Sequence, residues 1–242
     1  MAETTSHLES DETIMEFAVR MQSPADELLV RNALDQMECV RNVIIDIKEE
    51  SVMITSTLSS FKVQQILEAT GLLVVLRGYN YATNKLPVES SVVAMLCNSK
   101  VCGLTRLIQG DSTCLIEGSL TELKEGTHKV EVHISGDISN GSDSCGPVYG
   151  TDSNDPKGYL GTFEVGTDGV ANFRLTTNQF RVCDVIGRSV VTSPIGSGEC
   201  TYGIIARSSG VLGNRKKVCQ CSGDTIWEEA TQVKQENIRS CL

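Results

Sequence analysis

The chain has 242 residues, a formal net charge of −10 at pH 7 and 40% hydrophobic residues, which allows one or two domains with apolar cores. The acidic excess argues against nucleic acids and anionic membranes as partners. Residues 1–12 are polar, and no apolar run approaches the length of a membrane span, so we expect a cytoplasmic protein. Its ten cysteines are then expected to serve metals or redox chemistry rather than structural disulfides.

Residues 13–80 alternate between strand and helix patterns in the order β-α-β-β-α-β, which indicates an α+β domain of the small ferredoxin-like type. The first helix is predicted over Pro24–Cys39, with Ser23 as N-cap and Asp26 completing a capping box. Its core-facing stripe is expected at i, i+4 and i+8, formed by Leu29, Ala33 and Met37. The acidic extension 1–12 precedes this domain, and residues 81–87 are a predicted linker.

Residues 88–208 show a hydrophobic period of two and frequent turn signals, which predict an all-β antiparallel sandwich or barrel. Within it, Gly166–Gly169 is expected to join two strands as a hairpin turn. Residues 136–161 have little apolar periodicity, and a run of this length inside a compact domain is usually functional. Residues 209–242 are expected to form a flexible C-terminal segment.

Two cysteines in this last segment, Cys219 and Cys221, lie one residue apart and follow the basic residues Arg215, Lys216 and Lys217. On an extended strand their side chains would stand about 6–7 Å apart, which is too far for an unstrained disulfide. The pair therefore suits a soft metal ion or a labile disulfide, and the neighbouring cations favour the thiolate form.

Four segments carry a resemblance to a known family. Gly203–Gly210 and Lys217–Glu229 resemble the end of the copper chaperones for superoxide dismutase, while Leu115–Gly118 and Asp184–Ser189 match the dismutase-like domain of that family. The resemblance implies a ferredoxin-like first domain of the heavy-metal-associated type, a Greek-key second domain similar to copper,zinc superoxide dismutase, and a mobile Cys-x-Cys segment. It further implies that the chain forms a heterodimer with copper,zinc superoxide dismutase, delivers Cu(I) and promotes the internal disulfide of that enzyme; pairing with a second copy of itself is left open.

The resemblance also assigns roles to individual residues. It gives Cu(I) binding and thiol–disulfide exchange to Cys219 and Cys221. It leaves open whether Cys145 and Cys200 form a shifted intradomain disulfide or stay as two thiols. It implies a partner-binding patch in the Greek-key domain, formed by Gly136, Asp137, Ile186, Gly187, Ile204 and Arg207.

The chain departs from the family pattern at its metal sites. The family's first domain carries Met-x-Cys-x-x-Cys, but Met21–Asp26 has Ser23 and Asp26 in place of the two thiols, so we expect no carrier site there. Where dismutases keep two copper-binding histidines, the chain has Glu131 and His133, which form only a weak candidate metal site. The long loop also lacks the zinc ligands. We therefore expect no zinc and no dismutase activity.

The remaining cysteines and His128 have structural interpretations. His128 falls on the apolar face of its strand and is expected to be a hydrogen-bonded core residue. Cys39 is expected to pack at a helix end, and Cys241 to be an exposed tail thiol, while the final Ser240–Leu242 is only faintly similar to a peroxisomal signal. Four further cysteines in strand patterns are expected to be buried, namely Cys97, Cys102, Cys114 and Cys183.

One competing function stays open from the sequence. The chain could be an interaction protein that docks on immature dismutase and stabilises it without carrying copper. The copper stoichiometry of the reduced chain, with and without Cys219 and Cys221, separates the two alternatives.

Overall fold

The computed structural model describes residues 12–82, 90–97, 100–151, 156–213, 225–228 and 230–231. These residues fall into two compact units. The first unit contains the described residues within 1–82 and 210–242. The second unit contains the described residues within 83–209. Within the described part of the chain, no helix is long and apolar enough to cross a membrane.

The first unit confirms the predicted β-α-β-β-α-β order. Its four strands form one antiparallel sheet in the order β2-β3-β1-β4, so β1 is an interior strand with a neighbour on each side. The elements are β1 (Thr13–Val19), α1 (Pro24–Asp35), β2 (Val40–Asp46), β3 (Ser51–Ser56), α2 (Ser60–Glu68) and β4 (Val74–Tyr81). Fully buried side chains from both helices and from the sheet build the core, among them Met15, Phe17, Val30, Leu34, Ile54, Val63 and Leu67.

The start of α1 is the predicted capping box. The Asp26 N–H donates to Ser23 Oγ at 3.4 Å, and the Ser23 N–H donates back to the Asp26 carboxylate at 2.9 Å. Pro24 occupies the first helical position, where its missing N–H costs no hydrogen bond. The two side chains that the resemblance aligns with the family's carrier thiols therefore cap a helix.

The core-facing stripe predicted for α1 is wrong by one residue. The buried side chains are Val30 and Leu34, whereas Leu29 is 48% exposed, and the helix ends at Asp35 rather than at Cys39. A run of three apolar residues, Leu28 to Val30, is compatible with either stripe. Packing against the sheet buries the stripe that contains Val30 rather than the one that contains Leu29. The local periodicity of the sequence does not reveal this choice.

The cap gives a first testable prediction. Ser23→Ala should destabilise the first domain by about 1 kcal/mol, because one backbone N–H at the helix start loses its acceptor. The pKa of Asp26 lies below its usual range because the Gln22 N–H and the Ser23 hydroxyl donate to its carboxylate. The part of the stabilisation that comes from the ionised Asp26 carboxylate is therefore present at neutral pH and is lost as the pH falls below about 4. Urea unfolding at pH 7 and at acidic pH measures both effects.

Gln22→Ala is the matched control for this prediction. The Gln22 backbone N–H keeps its 2.8 Å hydrogen bond to Asp26 when the side chain is truncated. Equal unfolding midpoints for Ser23→Ala and Gln22→Ala at pH 7 would contradict the importance of the cap.

The second unit is a nearly closed antiparallel barrel, which confirms the predicted all-β domain. The strand path is β10-β8-β12-β13-β5-β6-β7-β11, and β14 also pairs with β5. The elements are β5 (Ser90–Cys97), β6 (Lys100–Gln109), β7 (Cys114–Leu120), β8 (Gly126–His133), β9 (Ser139–Ser142), β10 (Tyr159–Val165), β11 (Ala171–Thr177), the short helix α3 (Val182–Val185), β12 (Ser189–Pro194), β13 (Thr201–Ile204) and β14 (Ala206–Arg207).

The turn predicted between β10 and β11 is present, but the two strands do not pair with each other. The turn is present, since the Gly169 N–H donates to Gly166 O at 3.1 Å and Gly169 has a φ of +67°. The two strands, however, lie at opposite ends of the sheet path, and β10 pairs with β8 while β11 pairs with β7. Side chains join the two ends instead, because Phe163 and Phe173 stack with ring centroids 4.4 Å apart.

Candidate functional site

The predicted copper-binding pair, Cys219 and Cys221, lies outside the described residues, and its roles stay predictions. Cys241 and the peroxisomal-like ending also lie outside them. The structure does describe the predicted partner patch, the weak candidate ligands Glu131 and His133, and residues that lie before and after the Cys-x-Cys in the sequence.

Three residues of the predicted partner patch converge on one surface of the barrel. A Cβ atom at Gly136 would lie 2.2 Å from Gly187 O and 3.4 Å from Ile204 Cγ2, so this close approach requires glycine. The Gly187 N–H donates to Ile205 O at 2.9 Å, which ties the glycine to the end of β13. Ile204 is 41% exposed and places an apolar side chain beside the two glycines.

The other three members of the patch differ in burial. Ile186 is half-buried and packs against the barrel core, so it cannot be purely a partner contact. Asp137 is exposed, and its carboxylate accepts a 2.8 Å hydrogen bond from the Ser139 N–H that holds the loop after β8. Arg207 is exposed on β14, opposite Ser91 of β5.

Sequence reasoning missed Arg188 as the residue that holds the patch together. Its Nη1 donates to Ile134 O at 2.8 Å and its Nε donates to Asp184 O at 3.0 Å. The guanidinium also lies over the Tyr149 ring, 4.3 Å from the centroid. Arg188 thereby fixes the loop after β8 against the segment of Gly187. The only signal in the sequence was its place inside a family-like motif.

Glu131 and His133, the two weak candidate metal ligands, each contact another protein group, although His133 Nε2 has no hydrogen-bond partner among the described residues. The buried Glu131 carboxylate forms a 2.7 Å salt bridge with Lys129 Nζ. His133 Nδ1 donates to Gly146 O at 2.6 Å. In the described residues no group of three or more His, Cys, Asp or Glu side chains is placed to hold a metal ion. The weak metal site at Glu131 and His133 therefore stays a prediction without a third described ligand.

His128 is the hydrogen-bonded core histidine that the sequence predicts. It is buried, its Nε2 donates to Lys124 O at 2.8 Å, and its ring stacks on Phe163 with centroids 5.5 Å apart. Because His128 packs in this way beneath the barrel surface, it is a structural residue.

The structure separates the cysteines into buried and exposed groups. Of the two alternatives for Cys145 and Cys200, it contains the two thiols. Cys145 is buried and its Sγ lies 3.7 Å from Gly141 O, while Cys200 is half-buried.

Cys102 and Cys114 are buried as expected. The expectation was wrong for Cys183, which is exposed because α3 packs through its neighbours Val182 and Val185, and for Cys39, which is exposed beyond the end of α1. The side chain of Cys97 is not described.

This contrast gives a second testable prediction. Burial raises the pKa of Cys114 to about 12, so roughly one molecule in ten thousand carries its thiolate at pH 8. Cys183 is exposed to reagent. Iodoacetamide at pH 8, followed by peptide mass spectrometry, should modify Cys183 readily and leave Cys114 unmodified until the chain is denatured. Equal modification of the two residues in the folded chain would contradict the burial of Cys114.

Comparisons with known proteins agree with the two-unit architecture. Residues 101–202 match the copper/zinc superoxide dismutase family. The chain is 35% identical over 243 residues to the copper chaperone for superoxide dismutase of Homo sapiens, covering 89% of this chain and 88% of that protein. The identity is 31% over 226 residues to the chloroplastic copper chaperone for superoxide dismutase of Oryza sativa subsp. japonica, covering 90% and 72%. It is 25% over 233 residues to the superoxide dismutase 1 copper chaperone of Saccharomyces cerevisiae, covering 87% and 91%.

Proposed function

This chain belongs to the family of copper chaperones for superoxide dismutase, and we propose that it docks on copper,zinc superoxide dismutase, delivers Cu(I) to it and promotes its internal disulfide through Cys219 and Cys221. Its named relatives are chaperones rather than enzymes. We further propose that it acts in the cytosol, where a reducing environment keeps thiols available for copper.

The observation that carries this proposal is a dismutase-type barrel that has Glu131 and His133 where the resemblance places two copper-binding histidines. Glu131 is paired with Lys129, and His133 donates to a backbone carbonyl. His133 Nε2 has no hydrogen-bond partner among the described residues, but one histidine and one carboxylate do not make a redox copper site. The barrel therefore offers a dismutase-like surface that suits a protein that binds a dismutase and does not replace it. Because a two-fold interface uses the same patch on both partners, the proposed partner patch would also suit a second copy of this chain.

Cu(I) is the cargo in this proposal, and thiolates are the ligands that it prefers. Ser23 and Asp26, where the family keeps carrier thiols, are occupied in capping α1. Cys219 and Cys221 then remain as the two closely spaced thiols that the family match assigns to copper. We propose no zinc cofactor, since Gly146–Val148 and Asp155–Gly161, the segments that align with the zinc-binding region of dismutases, supply no histidine.

The same pair can carry out disulfide exchange. After copper has left, a two-electron oxidant such as dioxygen first converts the two thiols to a Cys219–Cys221 disulfide. A thiolate of the dismutase then attacks one sulfur of this disulfide and forms a mixed disulfide, and the second dismutase thiolate displaces the chaperone cysteine. The dismutase gains one disulfide and loses two electrons, while the chaperone pair gains those electrons and ends as two thiols. The strained geometry of a disulfide across one intervening residue favours this direction.

Copper stoichiometry tests the proposal against the competing docking-only function, which the loss of the first-domain thiols favours. The reduced chain, titrated with Cu(I) against a chromophoric chelator, should retain copper, whereas the Cys219→Ser, Cys221→Ser chain should lose it to the chelator. Cys183→Ser, which removes an exposed barrel thiol, is the matched control and should retain copper. Equal copper retention by the double-serine chain and the wild type would refute the assignment.

A further inference from the structure

The interior strand of the first sheet buries a carboxylate on the face opposite to its core. Side chains alternate along β1, so Met15 and Phe17 lie on the core face and Glu16 on the other. Glu16 is nevertheless only 3% exposed. Its Oε2 accepts a 2.6 Å hydrogen bond from the Leu212 N–H, and its Oε1 accepts a 3.4 Å hydrogen bond from the Ser51 hydroxyl. The C-terminal segment therefore supplies the shorter hydrogen bond to a buried charge that needs donors.

The neighbouring strand is shaped to receive the same segment. Gly78 of β4 pairs with Glu16, and Asn80 lies two residues further along. Asn80 Oδ1 accepts a 3.1 Å hydrogen bond from the Val211 N–H. A Cβ atom at residue 78 would lie 2.6 Å from Val211 Cα and 2.7 Å from Gly210 O. The three nearest atoms all belong to the C-terminal segment, so glycine at this position permits the two backbones to touch.

The docked residues form a tight turn with an unfavourable backbone conformation at its tip. The Gly213 N–H donates to Gly210 O at 3.0 Å, and Leu212 has a φ of +61°. A residue with a side chain is strained in this left-handed region and persists there only when its surroundings enforce it. The exposed Leu212 side chain contributes little burial. The hydrogen bond of its N–H to Glu16 is the contact that compensates.

A second attachment follows the Cys-x-Cys in the sequence. Trp227 Nε1 donates to Glu50 Oε2 at 3.2 Å, and Glu50 lies in the turn between β2 and β3. Thr225 and Glu228 order this stretch by a reciprocal capping box, with the Thr225 N–H donating to the Glu228 carboxylate at 2.7 Å and the Glu228 N–H donating to Thr225 Oγ1 at 3.2 Å. Residues on both sides of the cysteine pair thus contact the same domain.

We propose that the first domain, which lacks the family's carrier thiols, is the dock for the Cys-x-Cys segment, with Glu16, Gly78 and Asn80 holding the turn Gly210–Gly213. This positioning role rests on the proposed function, in which Cys219 and Cys221 bind the Cu(I) that is delivered. Six residues lead from Gly213 to Cys219, and a chain of that length spans at most about 20 Å. The dock therefore keeps the thiols within about this distance of the first domain.

Hydrogen exchange of the full chain tests the dock without involving copper. In the wild type, the amides of Val211 and Leu212 should exchange roughly tenfold to hundredfold more slowly than unprotected amides, the factor expected for charge-assisted and neutral hydrogen bonds. Gly78→Ala should abolish this protection, because its Cβ collides with the turn. Unprotected amides in the wild type, or protection that survives Gly78→Ala, would overturn the dock.

Two further variants keep this result interpretable. Gly71→Ala is the matched control: Gly71 has a φ of +86° and a Cβ there would meet no atom within 4 Å, so the change strains the same domain and should leave the protection intact. Gly210→Ala places its Cβ 2.6 Å from Asn80 Oδ1 and alters the docked segment rather than the sheet. Because the Asn80 side chain must then move aside, Gly210→Ala should weaken the protection of Val211 without a change in the sheet itself. Unchanged protection of both amides in a folded Gly210→Ala chain would count against the dock.

The functional consequence has a separate readout. Gly78→Ala should bind as much Cu(I) as the wild type yet transfer it to reduced, copper-free dismutase at a rate that differs about tenfold from the wild-type rate, because the thiols are no longer held near the first domain. Loss of amide protection with an unchanged transfer rate would overturn the positioning role. A wild-type chain that holds no Cu(I) would instead refute the proposed function, and hydrogen exchange would still decide whether the dock exists.

Discussion

A chain carrying Cys219→Ser and Cys221→Ser should still bind copper,zinc superoxide dismutase but should leave it inactive. Serine hydroxyls are poor ligands for the soft Cu(I) ion and cannot form a mixed disulfide, so copper delivery and disulfide exchange are both lost. Docking is expected to survive because the partner patch lies in the barrel, around Gly136, Gly187 and Ile204. We expect activation to fall to the level seen without chaperone.

The measurement is the superoxide-dismuting activity recovered by copper-free, disulfide-reduced dismutase after incubation with each variant. Cys183→Ser serves as the control for a missing surface thiol and should activate like the wild type. A chain lacking residues 1–80 completes the comparison. Full activation by the double-serine chain, together with failure of the truncated chain, would place the copper path in the first domain.

Ile204→Asp should abolish the heterodimer with the dismutase. Ile204 is 41% exposed beside the Gly136–Gly187 contact, at the apolar centre of the proposed two-fold interface. A carboxylate at the centre of an interface must be desolvated without a partner, which we expect to cost about 2 kcal/mol or more, equivalent to at least roughly a thirtyfold loss of affinity. Gel filtration of the mixed proteins at micromolar concentration should then show two separate species.

Ile195→Asp is the matched control, because Ile195 is 64% exposed and lies outside the predicted patch. It makes the same chemical change and should leave the heterodimer intact. Ile186→Asp should also disrupt docking, but Ile186 packs against the core, so that variant confounds docking with stability. Co-elution of Ile204→Asp with the dismutase would refute the patch, provided that circular dichroism shows a folded barrel.

The features that were predictable from the sequence are those set by local chemistry. Ser23, Pro24 and Asp26 specify a helix start through groups within four residues, and the structure contains that start. The alternation around Val130 likewise identified a barrel strand and the buried His128. Short-range patterns carry this information because the interacting atoms are close in the sequence.

The features that were missed depend on which elements meet in space. The choice of Val30 over Leu29 for the core is made by the sheet beneath α1. Arg188 gains its role from Ile134 and Tyr149, which are distant in sequence. The contact of Leu212 with Glu16 joins residues 196 positions apart, and no periodicity indicates it.

The barrel should open most easily along the line between β10 and β11, where the rings of Phe163 and Phe173 stack. Every other junction along the strand path has backbone pairing, although β13 and β5 share only the pair Tyr202–Leu96, whereas β10 and β11 are joined by their turn and by stacked side chains. Thermal breathing should therefore begin along this line, because separating two rings requires no main-chain hydrogen bonds to break. The facing edges of β10 and β11 already lack main-chain partners, so parting the rings would make these edges accessible, and an unfolding barrel would first become prone to aggregate there.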